Sequence, residues 1–222
     1  EYVHSVEFNH LLYFKQLKLT SGLFYRYTTD MFQRYRTLYS GDTTLMTFIN
    51  LDNSQTFGFE FAVSGALTNW WRANGSISGF KFIVDGGNLE SNFQSSSLSW
   101  NAKLNNSFSL PYGLELQVNT FYRAPVETPQ TTRLAMHFTD IGLKKDILKG
   151  RGTLTFRLSD VFNTRQFAYE QFGENFELEG EFKRESRIAY IGFSYRIGRD
   201  KPKQDRRRQN RPPGDGGDGD DF

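Results

Sequence analysis

The three histidines, His4, His10 and His137, lack the HxxxH or HExxH spacing that brings two imidazoles to one zinc ion. The chain has no cysteine, which removes thiolate metal sites, disulfides and cysteine nucleophiles together. No GxSxG, Walker A or GxGxxG pattern occurs, and spacing picks out no set of serine, histidine and acid. The sequence therefore predicts no enzyme, no cofactor and no metal. Two other groupings carry chemistry. Glu170, Glu174, Glu177, Glu179, Glu181 and Glu185 alternate with Phe172, Phe176 and Phe182. Clustered carboxylates suit a hard cation, though a solvated loop extending two strands is the commoner use of such a run. Phe32, Tyr35 and Tyr39 offer faces for stacking on a ligand, against the usual packing of loop on loop. The basic run Arg206, Arg207, Arg208 and Arg211 resembles a patch for nucleic acid or anionic lipid, but the acidic stretch DGGDGDD follows it. With a net charge of only +2, no nucleic-acid partner is expected.

The elements that must carry these residues show a period of two. In LKLTSGLFYRY, at 17–27, Leu17, Leu19, Leu23, Tyr25 and Tyr27 share one face, and Lys18, Thr20, Gly22 and Arg26 the other. Phe57, Phe59, Phe61 and Val63 repeat the pattern against Glu60 and Ser64. So do Leu98, Trp100, Ala102 and Leu104 against Ser99, Asn101 and Lys103, and Leu114, Leu116, Val118 and Tyr122 against Glu115, Gln117, Asn119 and Arg123. Leu154, Phe156 and Leu158 against Thr155, Arg157 and Ser159 complete the set. These half-apolar strands exceed the usual five or six residues of globular sheets.

The connections alternate between tight ones, near 15–16, 68–69, 111–113 and 149–150, and extended ones at 29–50, 85–94, 124–132 and 163–184. Outer-membrane barrels have this asymmetry, with short periplasmic turns and long outer loops. Nine strands are predicted, at 2–13, 17–28, 55–67, 71–83, 96–109, 113–123, 133–147, 151–162 and 186–197. An even strand number is the rule for such barrels, so the remaining strands are expected before Glu1. The hairpin-like 31–49 is read as an outward excursion of its flanking strands, and phase slips near Gly79 and Asp140 as bulges. Trp70 and Trp71 at a short turn, with Tyr25, Tyr27, Tyr122 and Phe80 near the long loops, suggest two aromatic belts. Lys18, Arg26, Glu60, Arg72, Lys103, Glu115, Arg123 and Arg157 are expected to face the lumen.

Composition agrees. Aromatic residues make up 16% of the chain, yet mean hydropathy is −0.58, as for a wall with apolar groups on one face and polar groups on the other. No apolar run of about 18 residues exists, which leaves strands as the membrane-crossing elements. The chain opens without a signal segment and is read as a mature piece or fragment. The fold class expected is all-β, an antiparallel transmembrane β-barrel portion over 1–198. A charged, Pro- and Gly-rich disordered tail at 199–222 is expected in the periplasm.

Four stretches, LFYRYTTDMFQRY at 23–35, FYRAPVETPQ at 121–130, DIGLKKDILKGRGTLTFRLSDVFNTRQF at 140–167 and ESRIAYIGFSYRIG at 185–198, carry a family resemblance. Together they resemble the C-terminal barrel region of Bacteroidetes-type TonB-dependent receptors of the outer-membrane β-barrel family. The pairing of RLSDVFNTRQF with the closing GFSYRIG is its most specific part. The resemblance implies a barrel of about 22 strands around an N-terminal plug. It also implies import of a bulky nutrient driven by the TonB system through that plug, which these residues do not include, and a possible surface lipoprotein partner. Gly192, Phe193 and Tyr195 in the closing strand resemble the signal that the barrel assembly machinery reads by strand pairing; an aromatic girdle is the plain alternative. A barrel without substrate, and a soluble carbohydrate-binding β-sandwich, are the competing readings of the whole chain.

Overall fold

The computed structural model describes residues 1–87 and 93–197. The expectation of a disordered tail at 199–222 falls outside the described residues. Nine strands form one antiparallel sheet: β1 (Tyr2–Phe14), β2 (Leu17–Ser40), β3 (Thr43–Ala66), β4 (Trp71–Asp85), β5 (Gln94–Leu110), β6 (Leu114–Arg123), β9 (Met136–Ile147), β10 (Gly152–Leu158) and β13 (Ala189–Tyr195). Each pairs with the next in that order, and β1 and β13 are its edges, so the barrel is not closed among the described residues. The remaining strands, β7 (Val126–Thr128), β8 (Thr131–Arg133), β11 (Phe167–Gly173) and β12 (Phe176–Phe182), make a second sheet in the order β12-β11-β8-β7. No helix of the described residues is long and apolar enough to cross a membrane. The strands do that work.

Why the sheet is a wall follows from its register. Phe61 pairs with Ile77, Ile77 with Ala102, Ala102 with Tyr122, so the apolar members of each alternation line up on one face. That face is bare: Leu98 is 79% exposed and Ile191 81%, whereas Ser99, one residue along, is 2% exposed. A soluble sheet does the reverse, because water rewards burial of the apolar face. Apolar groups outside and polar groups inside is the arrangement a hydrocarbon solvent selects.

All eight proposed lumen residues, from Lys18 to Arg157, lie on the polar face by register. The short connections are tight: Lys15, Tyr112, Leu148 and Lys149 adopt left-handed φ values at them. At this end Trp70, Trp71 and Phe108 stack with centroids 5.9–6.3 Å apart. The Trp71 Nε1–H donates to Asn106 Oδ1 at 3.0 Å, the polar contact an indole takes at headgroup level. At the opposite end Trp100 stacks on Tyr122 at 4.5 Å. Phe80 does not join that belt, since it pairs with Ser99 and faces the lumen.

One expectation holds and three need correction. The stretch 31–49 is indeed an excursion of its flanking strands: β2 and β3 run 24 residues each to a tip at Gly41 and Asp42. At about 3.3 Å per residue each is roughly 80 Å long, far beyond a hydrocarbon core of about 30 Å. No bulge interrupts β4 at Gly79, where pairing with β5 is continuous from Trp71 to Asp85. Gly79 holds an outward position that the Phe59 ring covers, and an added Cβ would lie 2.8 Å from Phe59 Cε1. Nor is there a bulge at Asp140, because β6–β9 and β9–β10 pairing is unbroken. The apolar side changes there because Ile141 and Leu143 face lipid while Phe138 faces the lumen higher up the strand. Finally, the outer connections at 124–132 and 163–184 carry the second sheet rather than plain loops, and β9, β10 and β13 are correspondingly shorter than expected.

This face assignment fixes the outcome of a charge placed on either side. In the full-length protein folded into bilayers, Phe61→Arg should lower unfolding free energy by about 2–4 kcal/mol, read from denaturant titration. Ser76→Arg, on the lumen side of β4, should change it by less than about 0.5 kcal/mol. Equal costs would mean that the faces are misassigned.

Candidate functional site

The candidate site is the upper lumen wall and the sheet that sits against its mouth. Four outer connections meet there. Ser99 Oγ donates to the Ala124 carbonyl at 3.4 Å and Ser97 Oγ accepts from the Glu127 N–H at 3.0 Å, which fastens β7 to β5. Gln130, 5% exposed, joins the second sheet to the long β2–β3 hairpin. Its Nε2 donates to the Arg36 carbonyl at 2.9 Å and its Oε1 accepts from the Arg36 N–H at 3.0 Å, so a side-chain amide takes the place of a neighbouring strand. Its own carbonyl accepts from the Phe172 N–H at 2.9 Å. Leu51, Val84 and Phe93 form a small buried cluster with Met31, Tyr35, Ile49 and Phe82 packed on it, and Tyr35 meets Phe93 edge-on at 5.6 Å. Aliphatic and aromatic packing thus ties the hairpin to the β4–β5 connection.

The motif RLSDVFNTRQF resolves into a hydrogen-bonded knot. Asp160, fully buried with φ 46°, closes a turn in which the Asn163 N–H donates to its carbonyl. Its carboxylate accepts from the N–H groups of Thr164 at 3.0 Å and Arg165 at 2.9 Å, and from the Ser186 hydroxyl on the approach to β13. The Asp160 N–H donates to Asp140 Oδ1 at 2.8 Å, and Asp140 pairs with Arg157 at 3.1 Å and Arg165 at 3.3 Å. One carboxylate thereby orders a loop, and a second anchors that loop to the wall. Burial by itself would raise the Asp160 carboxyl; the Ser186 hydroxyl, the Arg165 and Thr164 N–H groups and the Arg165 charge outweigh it and hold it below the ordinary carboxylate range.

The sequence-proposed groupings separate. The glutamates do not extend β10 and β13. Glu170, Glu174, Glu177, Glu179 and Glu181 occupy the β11–β12 hairpin, where Glu170 stands opposite Glu179 and shares a face with Glu177 and Glu181, while Glu185 lies beyond β12. The other face carries Phe167, Tyr169 and Phe182 in mutual ring contact. Among the described residues no group of three or more His, Cys, Asp or Glu could hold a metal. Phe32 stacks on Phe48 at 4.8 Å with the Arg34 guanidinium 5.7 Å from the same ring, Tyr35 joins the buried cluster, and Tyr39 stands exposed near the hairpin tip. His4, His10 and His137 lie on β1 and β9. On β13, Phe193 and Tyr195 face lipid, and Gly192 faces the lumen, where an added Cβ would lie 2.6 Å from Thr155 Oγ1.

Sequence reading missed the lumen-side row Lys103, Phe121 and Phe138. These residues stand side by side across β5, β6 and β9. Lys103 Nζ is 5.8 Å from the Phe121 centroid, the two rings are 5.3 Å apart, and the Arg165 guanidinium lies 3.6 Å over Phe138. Two phenylalanines on a polar face were the available signal.

The knot predicts a pH response with a definite sign. Because the folded Asp160 pKa is depressed, its stabilisation is fully present above the unfolded value, about 4, and is lost as pH falls through the folded value. Rate-corrected hydrogen exchange of 159–167 should therefore lose protection as pH drops below about 4. Asp160→Asn, which aims an amide at donors, should cost about 1–3 kcal/mol at neutral pH and abolish that acid dependence. Unchanged protection in the variant would assign the motif's order to something other than this carboxylate.

Family comparison agrees with the wall. No curated protein and no solved structure matches the chain. A model of the outer membrane protein beta-barrel family matches residues 1–195, the whole nine-stranded sheet with the sheet at its mouth. The lipid-facing apolar rows, the polar lumen face and the short and long alternation of connections are what that family requires, and the chain belongs to the outer membrane protein beta-barrel family.

Proposed function

We propose that this wall belongs to a TonB-dependent receptor that carries a bulky nutrient across the outer membrane, rather than to an enzyme or a purely structural barrel. The observation that supports it most is the open sheet of nine strands with a mixed-charge lumen face. Strand edges bare of partners are not tolerated in hydrocarbon, and single-chain barrels of bacteria have even strand numbers. Completion of the wall therefore calls for further strands, hence a wide lumen. The lumen face carries both signs of charge, as in Glu60, Arg72, Lys103 and Glu115, which suits a polar plug or solvent rather than a packed apolar core.

In this reading the plug contacts the TonB system and the outer mouth receives the ligand, alone or from a surface lipoprotein. During insertion the assembly machinery pairs with the free edge of β13 through Gly192, Phe193 and Tyr195. In this reading the short turns, among them the one at 148–150 beside the end of β13, face the periplasm.

The test uses the full-length gene. The protein should fractionate with the outer membrane and migrate on gels in a form that shifts on boiling, the mark of a closed barrel. Growth on its nutrient should require both the barrel and a working TonB system. A heat-shifted outer-membrane protein whose loss, or whose uncoupling from TonB, costs no uptake would overturn transport and leave a structural barrel.

A further inference from the structure

We infer that the Phe121–Phe138 platform is a binding site for a ring-bearing anion, a carboxylate or phosphate ester, at the inner side of the barrel mouth. The inference rests on the transport reading and adds the ligand's class to it. Cations surround the platform: Lys103 and Arg165 sit over its two rings, Arg123 follows two residues after Phe121 on the same face of β6, and Arg133 lies close enough to act on Arg123 as a like charge. Among the described residues Lys103, Arg123 and Arg133 form no ion pair, and the carboxylate of Asp140 is shared between Arg165 and Arg157.

Arg123 makes the case specific. Its Nε and Nη2 are covered yet have no hydrogen-bond partner, and Arg165 Nε is in the same condition. A guanidinium with unused donors, in the field of a second like charge, is a costly arrangement that an anion relieves, because the planar fork donates to two oxygens at once. Arg123 as a whole is only half-buried, so an anion reaches it from the lumen. The adjacent rings, centres 5.3 Å apart and tilted by 33°, supply what a point charge lacks, an apolar surface against which a ring packs. Asn101, opposite Arg123 and bonded to Ser78 at 2.8 Å, brings neutral polar groups to the rim of the platform. The ligand's anionic group would pair with Arg123 in the added field of Arg133, while its ring packs against Phe121 beside the Phe138 ring that Arg165 covers.

The test is calorimetric titration of the full-length protein in detergent with glucuronate, glucose 6-phosphate and glucose, three pyranoses that differ in one group and do not partition into micelles. At least one anion should bind tenfold or more tightly than glucose. Which anion does so distinguishes carboxylate from phosphate as the natural group. Raising salt should weaken the anion alone, Arg123→Gln should erase the preference, Arg123→Lys should keep part of it, and Phe121→Leu should weaken all three sugars. Equal binding of the three, or binding of none, overturns the inference. It is also overturned if Arg123→Gln lowers the unfolding temperature without touching the preference, because Arg123 would then pair within the protein. TonB-dependent uptake of an uncharged nutrient with no anion preference would defeat this inference while leaving the transport reading intact. Loss of the transport reading would leave the anion preference in detergent measurable.

Discussion

Every backbone N–H and C=O that lies in hydrocarbon must find a partner in the chain itself, and this constraint governs the rest of the structure. It is why each strand of the great sheet pairs with the next from β1 to β13 and why, among the described residues, the register shift falls at Leu38 and Ser40, near the tip of the β2–β3 hairpin. Once pairing is continuous, the pleat fixes which residues meet lipid and which meet the lumen, and a one-residue slip would exchange the two solvents. The register is thus determined by solvent on both faces, and no apolar core is needed to hold it. The buried apolar cluster at Leu51, Val84 and Phe93 is accordingly small, and it lies against the outer connections rather than within the membrane-crossing wall.

Above the hydrocarbon the same backbone groups can turn to water, and order there has to be supplied by particular side chains. Two polar residues do most of this. Asp160 gathers hydrogen bonds from Thr164, Arg165 and Ser186, and Gln130 meets both backbone groups of Arg36 on the free edge of β2. Both are buried, so each donor or acceptor left without its partner would bear a full desolvation penalty. Their geometry is consequently all or nothing, which makes the outer connections a jointed assembly instead of independent loops.

The wall was legible in the sequence because period two is a direct imprint of two solvents on one strand. All nine strands of the sheet, the lipid-facing rows and the lumen face were readable at that level. Where reading failed, a local substitution had replaced the periodic signal. Gly79 looks like a slip only because a neighbour's ring, Phe59, fills its place on the lipid face, and that neighbour is remote in sequence. Phe80 and Phe138 look lipid-facing because they are aromatic, yet both face inward near the mouth, where Phe80 stands beside covered Ser99 and Phe138 lies beneath a guanidinium. The second sheet was invisible for a different reason. β7 and β8 are three residues each, too short for any period, and β8 finds β11 across more than thirty residues of chain. Motif reading found RLSDVFNTRQF but could not say that it is a joint, since its acceptor on β9 and its hydroxyl donor before β13 lie outside the motif.

The joint and the platform share a boundary, and this limits how the site can vary. Arg165 binds Asp140 with one nitrogen and its guanidinium lies over Phe138, so the residue that closes the motif's loop also forms one end of the aromatic row. Changing the cation there would disturb the knot, whereas the Lys103 ammonium at the other end lies over the Phe121 ring and forms no ion pair among the described residues. Variation of ligand preference in such a wall is therefore expected on the β5 and β6 side, at Lys103 and Arg123, while the β9 and β10 side stays fixed by the fold. In the proposed site strength and specificity are thus divided: the Arg165 end, which holds the loop, is not free to choose the ligand, whereas Lys103 and Arg123 enter no ion pair among the described residues.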